Sequence, residues 1–103
     1  MIKNIVDKDF DTIVSEGFHI VDVYSTHCGP CKQLSIILDE INVELPQVSI
    51  LKINIDDNKD FISRFQIMSV PVVMYYKDGE LVDKKLGLQN KSDIFEVLSE
   101  YMY

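Results

Sequence analysis

The chain contains no tryptophan and only two cysteines, three prolines and four glycines among its 103 residues. The prolines and glycines form no tract, and no internal repeat or low-complexity segment marks a linker. Hydrophobic residues make up 47% of the chain and charged residues 26%, which is ordinary for a globular protein. These features predict a single domain over residues 1–103, large enough to bury its own core.

Long apolar runs are also absent. No segment approaches the roughly 20 apolar residues of a membrane-spanning helix, and the start, Met1–Asp7, lacks the apolar stretch and cleavage site of a signal peptide. We therefore expect a cytoplasmic protein with no membrane partner. The formal net charge of −7 disfavours nucleic acid and anionic membrane surfaces as partners.

Apolar residues recur along the chain with alternating strand and helix periodicity. This pattern predicts five strands, at Lys3–Val6, His19–Ser25, Val48–Ile55, Val72–Tyr76 and Glu80–Leu86. It also predicts four helices, from Asp7 to about Glu16, from the cysteine pair to Leu45, a short one capped by Asp56 or Asp57, and one capped by Asn90. The last two strands are joined by a hairpin turn at Lys77-Asp78-Gly79.

The order of these elements predicts the α/β class. Alternating strands and helices imply parallel strands joined by right-handed crossovers, and the hairpin adds an antiparallel edge. We therefore expect a central, mixed five-stranded sheet flanked by four helices on both faces. Active sites of open α/β sheets lie at the carboxyl ends of strands, and Cys28 follows such an end.

The two cysteines, Cys28 and Cys31, are separated only by Gly29 and Pro30 at a predicted strand-to-helix junction. This spacing allows both thiols to lie on one helical turn and to form a small disulfide ring. Such a ring restrains the unfolded chain very little, so it suits a bond that is repeatedly made and broken. Backbone N–H groups at a helix start favour a thiolate. The pattern therefore indicates redox chemistry.

A zinc site is the alternative reading of this pair. Structural zinc normally needs four ligands, and only two histidines remain: His27 abuts Cys28, and His19 falls within a predicted strand. We therefore expect no zinc site, and a dithiol that exchanges with disulfides needs no metal or bound cofactor of its own. Because Cys28 precedes most of the helix, we predict that it is the exposed nucleophile, and that Cys31, one turn further, is the buried resolving thiol.

Asp22 interrupts an otherwise apolar predicted strand, between Val21 and Val23. In a central strand its carboxyl would be buried and its pKa raised, which would make it a usable proton acceptor and donor near neutral pH. The alternatives are a solvent-facing position on an edge strand and a purely structural role. Lys52, on the neighbouring predicted strand, is either a partner of Asp22 or an ordinary exposed lysine.

Several short segments resemble the thioredoxin family, and the resemblance covers nearly the whole chain. The most specific is Cys28-Gly29-Pro30-Cys31-Lys32, with Asp22 six residues before it and Val70-Pro71 about 40 residues after it. The other matching segments are Phe10-Asp11, Val21–Tyr24, Leu38–Glu40, Lys52–Asp56, Lys77–Glu80 and Gly87.

The resemblance implies a thiol-disulfide oxidoreductase that reduces protein disulfides and is reset by a flavin-containing, NADPH-dependent thioredoxin reductase. It also implies that Asp22 acts through water as the base that deprotonates Cys31. Pro71 matches a cis proline that packs against the cysteine pair, and Val70 would present its backbone to a substrate peptide. Gly87 is either a structural residue or, as in the family, a border of the substrate groove. We expect the protein to be a monomer.

The chain departs from the family pattern at three positions. His27 stands where the family usually has tryptophan, which alters the surface offered to partners. Protonated, His27 would favour the Cys28 thiolate; a solvated loop histidine is the alternative. Ile36 replaces a helix proline, so the helix should lack a kink. Tyr24 replaces a second tryptophan.

Two other functions stay open on the sequence alone. One is a thioredoxin-fold binding subunit of a larger complex, and the other is a disulfide oxidant or isomerase. We predict Cys28, Cys31, Asp22 and Lys52 as the catalytic group. The residues predicted to contact substrate are His27, Gly29, Pro30, Val70, Pro71 and Gly87.

Overall fold

The computed structural model describes residues 1–103 and contains one five-stranded sheet. Its strands are β1 (Ile2–Asn4), β2 (Phe18–Tyr24), β3 (Ser49–Asn54), β4 (Val72–Lys77) and β5 (Glu80–Leu86). The helices are α1 (Phe10–Val14), preceded by a 3-10 turn at Asp7–Asp9, then α2 (Gly29–Glu44), α3 (Lys59–Phe65) and α4 (Lys91–Tyr101). None of these helices has the length and apolar character needed to span a membrane.

The strands are arranged in the order β1-β3-β2-β4-β5. β2 is central: it pairs in parallel with β3 on one side and antiparallel with β4 on the other. The hairpin places β5 antiparallel to β4 at one edge, and β1 is parallel to β3 at the other. The predicted α/β fold, with a mixed five-stranded sheet and four helices, is therefore confirmed.

Successive residues of β2 face two different hydrophobic cores, because side chains alternate across a strand. Val21 and Val23 belong to the core that includes Phe10 and Phe61, which come from α1 and α3. Ile20 belongs to the other core, which is filled by apolar residues of α2 and α4. By the same alternation, the Asp22 side chain points to the α2 and α4 side of the sheet.

The start of the first helix differs from the prediction. A helix from Asp7 to Glu16 was expected from the capping pattern, but a 3-10 turn precedes a short α1, and no side-chain hydrogen bond caps either segment. The Asp7 N–H donates instead to Asn58 Oδ1 at 3.0 Å. Gly17 ends this region with a φ of 83°, a left-handed conformation that glycine adopts readily.

The cap predicted for the third helix is also wrong. Asn58, rather than Asp56 or Asp57, immediately precedes α3, and its side chain does not cap that helix. Asn58 is only 4% exposed. Its amide group accepts from the Asp7 N–H and donates to the Asn54 carbonyl oxygen at 2.7 Å. The residue therefore connects the end of β3 to the segment before α1.

The other two helices begin as predicted. Asn90 caps α4: its side chain accepts from the Asp93 N–H at 2.8 Å, and the Asp93 carboxylate accepts from the Asn90 N–H at 3.1 Å. This reciprocal pair is a capping box. α2 begins at the cysteine pair and continues without interruption through Ile36.

We predict that Asn58→Ala lowers the free energy of unfolding by about 1–3 kcal/mol, because it leaves two backbone groups without their partner in a buried place. Urea unfolding followed by circular dichroism measures the change. Asn4→Ala is the matched control, since Asn4 is exposed and its side chain only accepts from the Tyr24 hydroxyl at 3.2 Å. Equal losses in the two variants would contradict a connecting role for Asn58.

Candidate active site

The cysteine pair lies at the junction between the central strand and α2. β2 ends at Tyr24, and Cys28 is the residue immediately before the helix. Cys28 and Cys31 are joined by a disulfide, and their Cα atoms are 5.2 Å apart, within the usual range for disulfides. Pro30 occupies the first turn of α2, where an N–H has no partner within the helix, so a proline is tolerated.

The two sulfur atoms have different surroundings. Cys31 is 3% exposed, whereas Cys28 is partly open to solvent. The Cys28 Sγ accepts a hydrogen bond from the Cys31 N–H at 3.2 Å and caps the N-terminus of a 16-residue helix. Both features stabilise negative charge on this sulfur. The prediction that Cys28 is the more exposed and Cys31 the more buried of the two is confirmed.

Asp22 lies at the middle of the sheet, where its backbone pairs with Lys52 of β3 and Val73 of β4. The residue is 0% exposed, and neither carboxyl oxygen has a hydrogen-bond partner. Burial raises the pKa of Asp22 to about 6, although the positive charge of Lys52 opposes this rise. A buried carboxyl with a raised pKa is thus confirmed, and the edge-strand alternative is wrong.

Lys52 is a partner of Asp22 rather than an exposed lysine. Its Nζ is 3.8 Å from Asp22 Oδ2, and its side chain is 16% exposed. The same Nζ donates to Ser35 Oγ at 2.7 Å and lies 4.9 Å from the centre of the Tyr24 ring. Because 3.8 Å is too long for a hydrogen bond, Lys52 and Asp22 interact by charge attraction alone.

A polar pocket of about 300 Å³ adjoins this lysine. Its lining joins Cys31 and Ser35 of α2 to Lys52 and Tyr24 of the sheet, together with Ser25, Thr26, Lys32 and Asn54. Such a space is large and polar enough for water. Water can therefore reach Cys31 and Lys52 from outside the molecule.

The sequence analysis did not identify Ser35. The signal that could have found it is its spacing: it follows Cys31 by four residues, so both side chains lie on the same side of α2. The spacing alone does not show that Ser35 contacts Lys52, because that contact depends on how α2 packs against β3.

Val70, before β4, lies beside the Cys28 sulfur, and Gly87, after β5, is hydrogen-bonded to the neighbouring Pro71. The Val70–Pro71 peptide bond is cis, as the family resemblance implied, and the Val70 carbonyl oxygen lies 4.0 Å from Cys28 Sγ. The Gly87 N–H donates to the Pro71 carbonyl oxygen at 2.9 Å. Gly87 has a φ of 85°, and an added Cβ there would meet nothing within 4 Å. Its backbone conformation, rather than crowding within the chain, favours glycine.

The remaining residues predicted at this surface are all exposed: His27, Gly29 and Pro30 surround Cys28. An added Cβ at Gly29 would also meet open space. The pKa of Asp56 is lowered, first by a hydrogen bond from the Thr26 N–H at 2.9 Å and also by the nearby His27.

The position of His19 is relevant to the alternative reading of the cysteine pair as part of a zinc site. His19 contacts Ser49 Oγ and the Glu16 carbonyl oxygen near the start of β2, at the end away from the cysteine pair. No three His, Cys, Asp or Glu side chains are grouped so that they could hold a metal ion.

The sheet order, the two flanking helical layers and the disulfide at the start of α2 define the class of the protein: an α/β thiol-disulfide oxidoreductase. Comparisons with known proteins give the family. Residues 1–100 match the family model for thioredoxin. Thioredoxins of several Staphylococcus aureus strains are 36% identical over 102 residues, covering 98% of this chain and 98% of theirs. The chain belongs to the thioredoxin family.

A solved structure supports the same assignment. A Plasmodium falciparum thioredoxin is similar with a TM-score of 0.84 and 29% identity, over 96% of this chain and 98% of its own. Thioredoxins are protein-disulfide oxidoreductases, and this chain carries the redox-active cysteine pair on the matching fold.

We predict that Asp22→Asn stabilises the oxidised protein above pH 6 by about 3 kcal/mol, because one pKa unit corresponds to ~1.4 kcal/mol and the folded pKa rises from the ordinary 3.8 to about 6. A raised carboxyl pKa means that the folded state holds the proton more tightly than the unfolded state. The contribution of Asp22 to wild-type stability therefore falls as the pH rises from 4 to 6, and the advantage of the variant disappears below pH 4. Guanidinium unfolding between pH 3.5 and 8 measures it.

Asp39→Asn is the control for this prediction, because Asp39 is an exposed carboxylate on α2. It should leave the pH dependence of stability as it is in the wild-type protein. A pH-independent difference between Asp22→Asn and wild type would contradict the raised pKa of Asp22.

Proposed function

We propose that this protein acts mainly as a reductant of protein disulfides, with Cys28 as nucleophile, Cys31 as resolving thiol and Asp22 as base. The observation that carries the proposal is the difference between the two sulfurs. Cys28 Sγ is partly open to solvent and accepts a hydrogen bond from a backbone N–H, whereas Cys31 is buried beside a pocket lined mainly by polar residues. We therefore assign the attack on the substrate disulfide to Cys28 and the release of the substrate to Cys31.

The first step is attack of the Cys28 thiolate on one sulfur of a substrate disulfide. A new sulfur–sulfur bond joins Cys28 to the substrate, and the substrate's own disulfide breaks. The departing substrate sulfur leaves as a thiolate and takes a proton from water. The Cys31 N–H and the start of α2 favour the attacking thiolate at Cys28.

The second step releases the substrate. The Cys31 thiol gives its proton through water to the Asp22 carboxylate, and the resulting thiolate attacks the Cys28 sulfur. The mixed disulfide breaks, the second substrate sulfur leaves as a thiolate, and the Cys28–Cys31 disulfide forms. Two electrons have then passed from the cysteine pair to the substrate. A carboxyl with a pKa of about 6 can accept this proton near neutral pH.

Substrate docking is assigned to the exposed surface around Cys28. Val70 lies just outside the β4 ladder and close to the Cys28 sulfur, which supports pairing of its backbone with an extended substrate chain. Pro71 and Gly87 are linked by a backbone hydrogen bond at the same place. We assign to the same surface His27, Gly29 and Pro30, the exposed chain neighbours of Cys28, among which His27 offers a polar, titratable side chain.

The oxidised pair must be reduced again before the next cycle. We assign this step to a flavin-containing, NADPH-dependent thioredoxin reductase, on the strength of the family membership. The net charge of −7 favours basic surfaces on such protein partners. We further propose that the protein works as a monomer of one domain in the cytoplasm, where thiols are kept reduced.

The reduction potential of the pair separates this function from disulfide oxidation or isomerisation. Equilibration with glutathione buffers should give a reduction potential of about −270 mV, as for reducing thioredoxins, whereas oxidants and isomerases have potentials of about −120 to −180 mV. A value in the second range would overturn the direction of electron flow proposed here.

We predict that Cys28→Ser abolishes insulin disulfide reduction, because the attacking sulfur is gone, whereas Cys31→Ser accumulates a mixed disulfide that cannot be resolved. Insulin turbidity measures the first effect, and non-reducing mass spectrometry of the protein measures the second. Normal turnover in Cys28→Ser would contradict the proposed role of this residue. Stable binding of one partner that survives loss of both cysteines would instead favour a binding subunit.

A further inference from the structure

Ser35 links the helix that carries the cysteines to the lysine beside Asp22. It lies one turn after Cys31 on α2, is half-buried, and lines the same pocket as Cys31. Its Oγ accepts a hydrogen bond from Lys52 Nζ at 2.7 Å, which is the shortest polar contact of that ammonium.

The ammonium group of Lys52 has three N–H donors and two acceptors within 4 Å, Ser35 Oγ and Asp22 Oδ2. Asp22 Oδ2 lies 3.8 Å away, beyond hydrogen-bond range, and both Asp22 oxygens are buried without hydrogen bonds. A charged hydrogen bond to a carboxylate would be stronger than one to a hydroxyl. The short bond to the hydroxyl fixes Nζ at a place 3.8 Å from the carboxylate, which would bind it more strongly.

We propose that Ser35 is a positioning residue that sets the separation between Lys52 and Asp22 and so keeps the Asp22 carboxylate basic enough to receive the Cys31 proton. The inference deepens the proposed function, because it rests on the role given there to Asp22. Ser35 touches neither Asp22 nor substrate; it acts through Lys52.

The surroundings of Asp22 make Lys52 the charge through which such an effect must pass. β3 contributes Lys52, β2 contributes Tyr24, β4 contributes the apolar Val73 at the paired position, and α2 contributes Cys31 at the pocket. Tyr24 stays neutral near pH 7, since burial and the Asp22 charge raise its pKa. In the oxidised protein Cys31 does not titrate. The core residues that α4 places on this face are apolar.

Removal of the Ser35 hydroxyl leaves Asp22 as the nearest strong acceptor for Lys52. The ammonium then moves closer to the carboxylate, and the pKa of Asp22 falls. The ¹³C chemical shift of the Asp22 carboxyl, followed by NMR between pH 4 and 9 in the oxidised protein, should show a midpoint at least 0.5 pH units lower in Ser35→Ala than in wild type. A midpoint that is unchanged or raised would overturn the proposal.

Two further variants test whether the effect passes through Lys52. Ser99→Ala removes an exposed helical serine that bonds only the Glu96 carbonyl oxygen of its own helix, and it should leave the Asp22 midpoint unchanged. In a Lys52→Met background, adding Ser35→Ala should no longer move the midpoint. An equal shift with and without Lys52 would overturn the positioning role.

The rate of mixed-disulfide resolution separates failure of this inference from failure of the proposed function. If Asp22 is the base, the acid limb of the rate–pH profile should move to lower pH in Ser35→Ala by the same amount as the NMR midpoint. A shifted midpoint with an unmoved rate profile would contradict the base role of Asp22 and not the control of Lys52 by Ser35. An unshifted midpoint overturns the Ser35 inference whatever the rate does.

Discussion

The site depends on one constraint, the burial of a single carboxyl group at the centre of the sheet. β2 is paired on both edges and covered on both faces, so the Asp22 side chain has no route to solvent of its own. Ionisation there lacks hydration and hydrogen bonds, and the pKa rises for that reason. In the proposed mechanism, Lys52 and Ser35 affect the free energy of ionising the Asp22 carboxyl, and the pocket beside Cys31 supplies the water that carries its proton.

The same α2 helix gives the two cysteines their different properties. Its first turn brings Cys28 to the surface, where a backbone N–H and the positive end of the helix dipole act on the sulfur. One turn further, Cys31 points inward to the pocket that also contains Lys52. Two chemically identical side chains thereby acquire different surroundings through position alone, and this difference supports the proposed attacking and resolving roles.

Most of this arrangement could be predicted because its signals are local. Periodic apolar residues marked the strands and helices, the C-x-x-C spacing marked the redox pair, and an aspartate within an apolar run marked the buried carboxyl. The failures involve contacts between distant segments. Asn58 meets Asp7 across 51 positions, and Lys52 meets Ser35 across 17. No local pattern contains such contacts, since they arise only when the helices pack on the sheet.

The distance between Lys52 and Asp22 sets a balance between two properties of the carboxyl: the fraction that is ionised near neutral pH and its strength as a base. A lysine in direct hydrogen-bond contact would stabilise the ionised carboxylate, lower its pKa, and so weaken it as a base. A more distant lysine would leave the pKa of Asp22 higher, so a smaller fraction of the carboxyl would be ionised and able to accept a proton near neutral pH. At 3.8 Å the charge of Lys52 offsets part of the burial effect and leaves the pKa of Asp22 at about 6.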